Sequence, residues 1–220
     1  MNIIFIAPPA AGKGTQSAFL EQKYNYKHLS TGDLLREEIK KGTEFGAEIN
    51  EIITKGELVS DEVITKLLRN ELESIKDQKF ILDGYPRNIA QAETLSKIFE
   101  ELNIDNYGAI YLELDKDTAT KRALGRIVCS NCGASYNKYF KKFIPKEEGI
   151  CDKCHSELVA RTDDNEESFK TRFNTYLSST NPLLDYYKEK NKLFVVDASL
   201  ETEEISKNIE RILESEDVDN

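Results

Sequence analysis

The chain has 220 residues, 39% hydrophobic and 32% charged, which fits one globular domain plus an insertion. At this length ~70% of the unfolded surface can be buried, so folding needs neither disulfides nor association. Forty acidic against thirty basic residues give a net charge of −10, which opposes general affinity for nucleic acid, and no apolar run approaches the roughly 20 residues that span a membrane.

Asn2 to Ile6 is a short apolar run ending at a Pro/Gly turn, which predicts a buried parallel strand followed by a helix over Thr15 to Lys23. The run lacks a basic flank and leads straight into Pro8 and Pro9, so it does not read as a secretory signal, and a cytoplasmic protein is expected. A helical stretch then runs from Ser30 to about Glu73, broken by Gly32, Gly42, Gly46 and Gly56, with Ser60 as an N-cap; it reads as an inserted helical subdomain. Apolar runs recur at Lys79 to Asp83, Ala109 to Leu114 and Leu193 to Val196, separated by helical patterns. Strands alternating with helices imply an α/β fold with a doubly wound parallel sheet. Between Arg126 and Arg161 a second interruption holds all four cysteines, with Tyr136, Tyr139, Phe140 and Phe143 among turn residues. A helix resumes at Thr162, with Asp163, Asp164, Glu166 and Glu167 complementing its dipole, and Pro182 marks a kink or break. The last helix covers Thr202 to Leu213, followed by a frayed acidic tail.

The segment Ala7-Pro-Pro-Ala10-Ala11-Gly12-Lys13-Gly14-Thr15 follows a strand and opens a helix, where backbone N–H groups and a helix N-terminus wrap a polyphosphate. Lys13 would reach the β- and γ-phosphates, and the Thr15 hydroxyl would sit near the phosphates or Mg²⁺. Ala7 and Ala10 stand where the general pattern has glycine; a site needing positive φ would charge alanine roughly 1–2 kcal/mol of strain. Asp83, ending the run Phe80-Ile81-Leu82, is placed to contact a water of Mg²⁺. Arg122 and Arg126 stand four residues apart on a predicted helix, so both can face one polyanion. His28 and His155 are the only histidines and neither neighbours an obvious nucleophile, so histidine acid–base chemistry is not expected.

Cys129-x-x-Cys132 and Cys151-x-x-Cys154, eighteen residues apart, have the spacing of a four-cysteine zinc site. Such a site is structural, because four thiolates leave no position for water. Two disulfides, or His155 in place of a neighbouring thiolate, are the lesser readings. Residues 126–161 carry seven basic and four acidic side chains, net +3 within a chain of −10, which suits a small flap over phosphates.

These motifs resemble the long, zinc-binding form of adenylate kinase, a P-loop nucleoside monophosphate kinase. The resemblance is carried by Gly12-Lys-Gly-Thr-Gln16, Ser30-Thr-Gly-Asp-Leu-Leu-Arg36, Gly56-Glu-Leu-Val59, Leu82-Asp-Gly-Tyr-Pro-Arg87 with Gln91, Gly125-Arg126 and Arg161-Thr-Asp-Asp-Asn-Glu166. It implies reversible, Mg²⁺-dependent phosphoryl transfer from ATP to AMP giving two ADP, by a monomer. It further implies a core of residues 1–29, 60–125 and 162–220, an AMP-binding flap of 30–59 and a zinc-binding lid of 126–161. ATP would contact Ala10, Ala11, Gly12, Lys13, Gly14, Thr15, Arg126, Ser135 and Tyr136. AMP would contact Thr31, Arg36, Glu57, Leu58, Val59, Gly84, Tyr85, Pro86, Arg87, Gln91, Arg161 and Arg172. Lys13, Arg87, Arg122, Arg161 and Arg172 would serve the transferring phosphoryl group, with Mg²⁺ and structural Zn²⁺ as the metals. The other readings are a UMP/CMP-type kinase with the same phosphate chemistry, and a zinc-ribbon nucleic-acid binder that uses ATP as a switch. The acidic balance opposes the latter.

Overall fold

A computed structural model describes residues 1–54, 59–160 and 164–218. The five-stranded sheet is entirely parallel, with β1 (Asn2–Ile6), β2 (Lys27–Ser30), β3 (Phe80–Asp83), β4 (Tyr107–Glu113) and a final strand at Leu193–Asp197, in the order β2-β3-β1-β4-final. Each strand predicted from an apolar run is present. β2 was not expected: Lys-His-Leu-Ser is too short and polar to stand out, yet Leu29 is buried and pairs with Leu82.

Alternation along the strands splits the core in two. Ile3, Phe5, Ile81, Ile110 and Leu112 pack on one face under α1 (Lys13–Tyr24), α6 (Lys116–Gly125), α7 (Glu166–Thr175) and α9 (Thr202–Val218). Ile4, Ile6, Phe80, Leu82 and Ala109 pack on the other under α4 (Asp61–Ser74), α5 (Ile89–Leu102) and α8 (Leu183–Glu189). The stretch that reads as one helical insert forms α2 (Thr31–Lys40) and α3 (Glu44–Thr54) before α4, with Ser60 capping α4 through the Val63 N–H as expected.

Four details differ from expectation. The helix carrying Arg122 ends at Gly125, and Arg126 adopts extended backbone (φ −69°, ψ 132°) as the first residue of β5 (Arg126–Cys129), so the two arginines do not share a helix. The helix expected from Thr162 starts at Glu166 behind the N-cap Asn165, leaving Asp164 outside its first turn; Thr162 and Asp163 lie outside the described residues. A π-helical turn over Tyr176–Thr180 precedes the break at Pro182. The C-terminal helix continues to Val218, because its Ile205, Ile209 and Leu213 stripe anchors it to the sheet. β5 is the centre of a separate antiparallel sheet between β6 (Ser135–Asn137) and β7 (Leu158–Ala160). With the last strand of the main sheet as β8, the strands number eight among the described residues, and no described helix is long and apolar enough to cross a membrane.

Candidate active site

Parallel strands gather their C-terminal ends on one edge, and register decides which residues meet there. Asp83 pairs in register with Phe5 on β1 and with Ser30 on β2, so the loop after β1, the start of α2 and the loop after β3 converge. This is the edge on which open α/β sheets bind ligands.

The loop after β1 is wound for an anion. Ala10 sits at φ 65° and Gly12 at φ 96°; Ala10 therefore carries the strain that an alanine-for-glycine exchange implies, whereas Ala7 does not have positive φ. The first bonds of α1 run from the Thr15 and Gln16 N–H groups to the Gly12 carbonyl, and no side chain caps the helix. The amides of Lys13 and Gly14 therefore lie in the helix's unpaired first turn, where the dipole favours negative charge. Ala11 is buried under the loop, while Gly14 and Thr15 are open to solvent.

Lys13 Nζ lies 3.7 Å from Asp83 Oδ1, and His28 Nε2 lies 3.5 Å from Asp83 Oδ2. His28 and Asp83 meet as diagonal neighbours, since His28 is in register with Ile81 two residues before Asp83. The contact lacks hydrogen-bond alignment, so Nε2 is buried beside the carboxylate without a hydrogen-bond partner among the described residues. Burial pushes the Lys13 ammonium below its ordinary value, Asp83 opposes that shift, and Arg87 and Arg172 add repulsion. Burial alone would raise Asp83, but His28 and Lys13 outweigh it and hold the carboxyl below the ordinary range; Asp83 in turn raises His28 against the effect of burial. The sequence gives no sign of this histidine's role, because its partner is 55 positions away and β2 is cryptic.

On the α2 side, Thr31 is buried at the first position of its helix, with Ser30 as the cap. Gly84 (φ 86°) leaves room there: a Cβ would come within 3.2 Å of Thr31 Oγ1 and 3.4 Å of Arg87 Nη2. Arg87 Nε donates to the Gly84 carbonyl at 2.8 Å and Nη2 to Thr31 Oγ1 at 3.5 Å. The Tyr85–Pro86 bond is cis, and the buried Tyr85 hydroxyl meets Thr65 Oγ1 at 3.0 Å. Gln91 is buried in the first turn of α5. Arg36 instead folds over Gly32 and pairs with Asp33 at 2.5 Å on an exposed surface. Val59 is half-buried, whereas Glu57, Leu58 and Arg161 lie outside the described residues.

Asp164 organises two of the remaining arginines. Its side chain is only 2% exposed and accepts a fork from Arg126, Nε to Oδ2 at 2.6 Å and Nη2 to Oδ1 at 2.5 Å. Arg172, in the last turn of α7, lies 3.7 Å from the same carboxylate. Arg122 stacks on the Phe140 ring at 5.7 Å, and burial lowers its guanidinium against the pull of Asp115.

In the small sheet, Ser135 is exposed, and the Tyr136 hydroxyl turns to the cysteines, accepting the Asp152 N–H at 2.8 Å and meeting Cys151 Sγ at 3.5 Å. The four sulfurs all lie within 4.8 Å of one another, with Cys129–Cys154 at 3.3 Å and Cys132–Cys151 at 3.6 Å. A disulfide needs about 2.05 Å, so the two-disulfide reading fails, and His155 is not part of the cluster. A tetrahedron of Zn–S bonds about 2.3 Å long puts sulfurs about 3.8 Å apart, which these positions fit. The Ser156 hydroxyl and N–H hold the Cys154 thiol down to about 5.

A profile of the adenylate kinase family matches residues 5–192. The adenylate kinase of Archaeoglobus fulgidus is 44% identical over 215 residues, covering 97% of this chain and 98% of that protein. Those of Fervidobacterium nodosum (43% over 214 residues, 97% of each chain) and Thermosipho melanesiensis (41% over 214 residues, 97% and 99%) agree. The chain belongs to the adenylate kinase family, phosphotransferases that use ATP and AMP.

Proposed function

We propose that the transfer between ATP and AMP takes place over the C-terminal ends of β1 and β3, between the loop of Ala10 to Thr15 and the Thr31–Arg87–Gln91 side. The observation that carries this reading is the convergence, set by strand register, of the loop after β1, the start of α2 and the loop after β3, with Lys13 beside Asp83 and Arg87 beside Thr31. Cations brought to that edge suit a substrate that carries several negative charges. Phosphoryl transfer is catalysed mainly by position and by neutralised charge, which is what these side chains supply.

ATP phosphates lie against Ala10, Ala11, Gly12, Lys13, Gly14 and Thr15, with Arg126, Ser135 and Tyr136 approaching from the four-cysteine unit and Arg122 joining the charge cluster from α6. AMP lies against Thr31, Arg36, Glu57, Leu58, Val59, Gly84, Tyr85, Pro86, Arg87 and Gln91, and Arg161 and Arg172 bridge the two phosphate groups. For Arg36 and Arg126 this requires exchanging Asp33 and Asp164 for phosphate, and a guanidinium fork suits either partner.

Asp83, an acceptor held anionic beside Lys13 and His28, has the chemistry to hold a water of Mg²⁺, which neutralises phosphate charge. Cys129, Cys132, Cys151 and Cys154 hold Zn²⁺, which fixes the small sheet. The chain divides into a core of 1–29, 60–125 and 162–220, a flap of 30–59 and a lid of 126–161, and it acts as a monomer. Free cysteines in a metal-type cluster support a reducing, cytoplasmic setting.

The test follows diphosphate formation from Mg·ATP with AMP, CMP, UMP and GMP in turn, for the wild-type chain and for Arg87→Ala and Arg172→Ala. Strong preference for AMP together with large losses in both variants is expected. Undiminished transfer in either variant would remove that arginine from the site.

A further inference from the structure

Adenine offers an amino donor at position 6 beside a ring-nitrogen acceptor, and a side-chain amide can pair with both at once. Such an amide discriminates only if it points the right way round, since reversing it exchanges donor for acceptor. The orientation of Gln91 is held from both ends. Its Oε1 accepts the Arg87 backbone N–H at 2.7 Å, and its Nε2 donates to Asp61 Oδ1 at 2.8 Å. Reversal would set the amide NH₂ against an N–H and the amide oxygen against a carboxylate, so neither contact survives it. Each half of the amide can make two bonds; among the described residues one hydrogen and one lone pair remain uncommitted.

Asp61 is well placed for this. It opens α4 behind the cap residue Ser60, and Thr65 one turn later shares its face. That face fastens two side chains of the loop and helix after β3: Thr65 meets the Tyr85 hydroxyl, and Asp61 meets Gln91. The Asn88 side chain fixes the Gln91 backbone N–H at 2.9 Å, so main chain and side chain are both restrained.

We propose that Asp61 is a positioning residue for base selection, which locks the Gln91 amide in the orientation that accepts a 6-aminopurine and rejects a 6-oxopurine. The inference rests on the reading of Gln91 as an adenine contact. Asp61 itself is solvent-exposed and need not touch the nucleotide.

The experiment measures kcat and KM with Mg·ATP for AMP and for IMP, which replaces the 6-amino donor by an acceptor. Asp61→Ala is expected to raise the KM for AMP about tenfold with kcat and the KM for ATP unchanged, and to narrow the preference for AMP over IMP by about tenfold. Asp61→Asn, which keeps a side-chain oxygen in place, recovers that selectivity. In a Gln91→Ala background Asp61→Ala adds no further loss. If Asp61→Ala folds poorly, Asp61→Ser keeps a polar helix start but falls short of the amide, and carries the same expectation. Wild-type selectivity in Asp61→Ala, equal loss in Asp61→Asn, or a full additional loss in the Gln91→Ala background would overturn the proposal. Gln91→Ala with unaltered KM and selectivity would instead remove the underlying reading of Gln91.

Discussion

The parallel sheet and the four-cysteine unit lie next to each other in sequence at Gly125–Arg126, yet they hold their shapes by different means. The sheet is buried on both faces, and its strands contribute side chains with no exposed surface, such as Ile3, Ile4, Ile81, Leu82 and Ala109. The small sheet buries Ile127, Cys129, Cys151 and Leu158 as its whole central cluster, and two of those four are prospective metal ligands. A three-stranded sheet of short strands with so little apolar burial does not stand on hydrophobic energy. Where burial is plentiful, shape follows from patterning; where it is scarce, four sulfurs gather within 4.8 Å of one another.

The largest effect that sharpens this contrast is chemical. Lys13→Ala should lower transfer on the order of a thousandfold while leaving the melting transition nearly unchanged, because on the proposed reading its side chain serves substrate rather than either core. Kinetics and calorimetry on one preparation check both halves. Leu72→Ala, at a fully buried position under the sheet, should destabilise the main core by about 2–5 kcal/mol without altering metal content. Cys129→Ser should do the reverse: bound zinc and transfer fall, with a smaller decrease in melting temperature. Equal metal content in that variant would break the distinction between the two regions. Ala10→Gly, relieving a left-handed alanine, should raise stability by up to about 1 kcal/mol.

The smallest effect concerns pH. His28 is raised by Asp83, so its contribution to stability is complete below the ordinary histidine value of 6.5 and is lost as pH rises through the raised value. His28→Gln should therefore flatten the pH dependence of the melting temperature in that window, with little change at higher pH.

Much of this was legible in the sequence where a residue's neighbours along the chain determine its role. The Gly12-Lys13-Gly14-Thr15 turn, the Ser60 cap, the apolar strands and the cysteine pairs are local patterns with local causes. Arg126 was misplaced because a helical pattern extends past Gly125, and only the β-branched Ile127-Val128 that follows hints at the extended chain observed. β2, the His28–Asp83 contact, the Asp61–Gln91 bond and the Asp164 fork depend on sheet register and on segments 30 to 55 residues apart, for which short motifs hold no signal.

The buried Asp164 among arginines gives the resting enzyme a property of its own. A carboxylate tethered beside Arg126 and Arg172 behaves as an intramolecular competitor, present at an effective concentration that dilute monovalent anions cannot match. Chloride or acetate then gains little by entering. On the reading proposed above, a ligand with several phosphates would engage several cations at once and displace it, so the site would filter by valence before it reads any base.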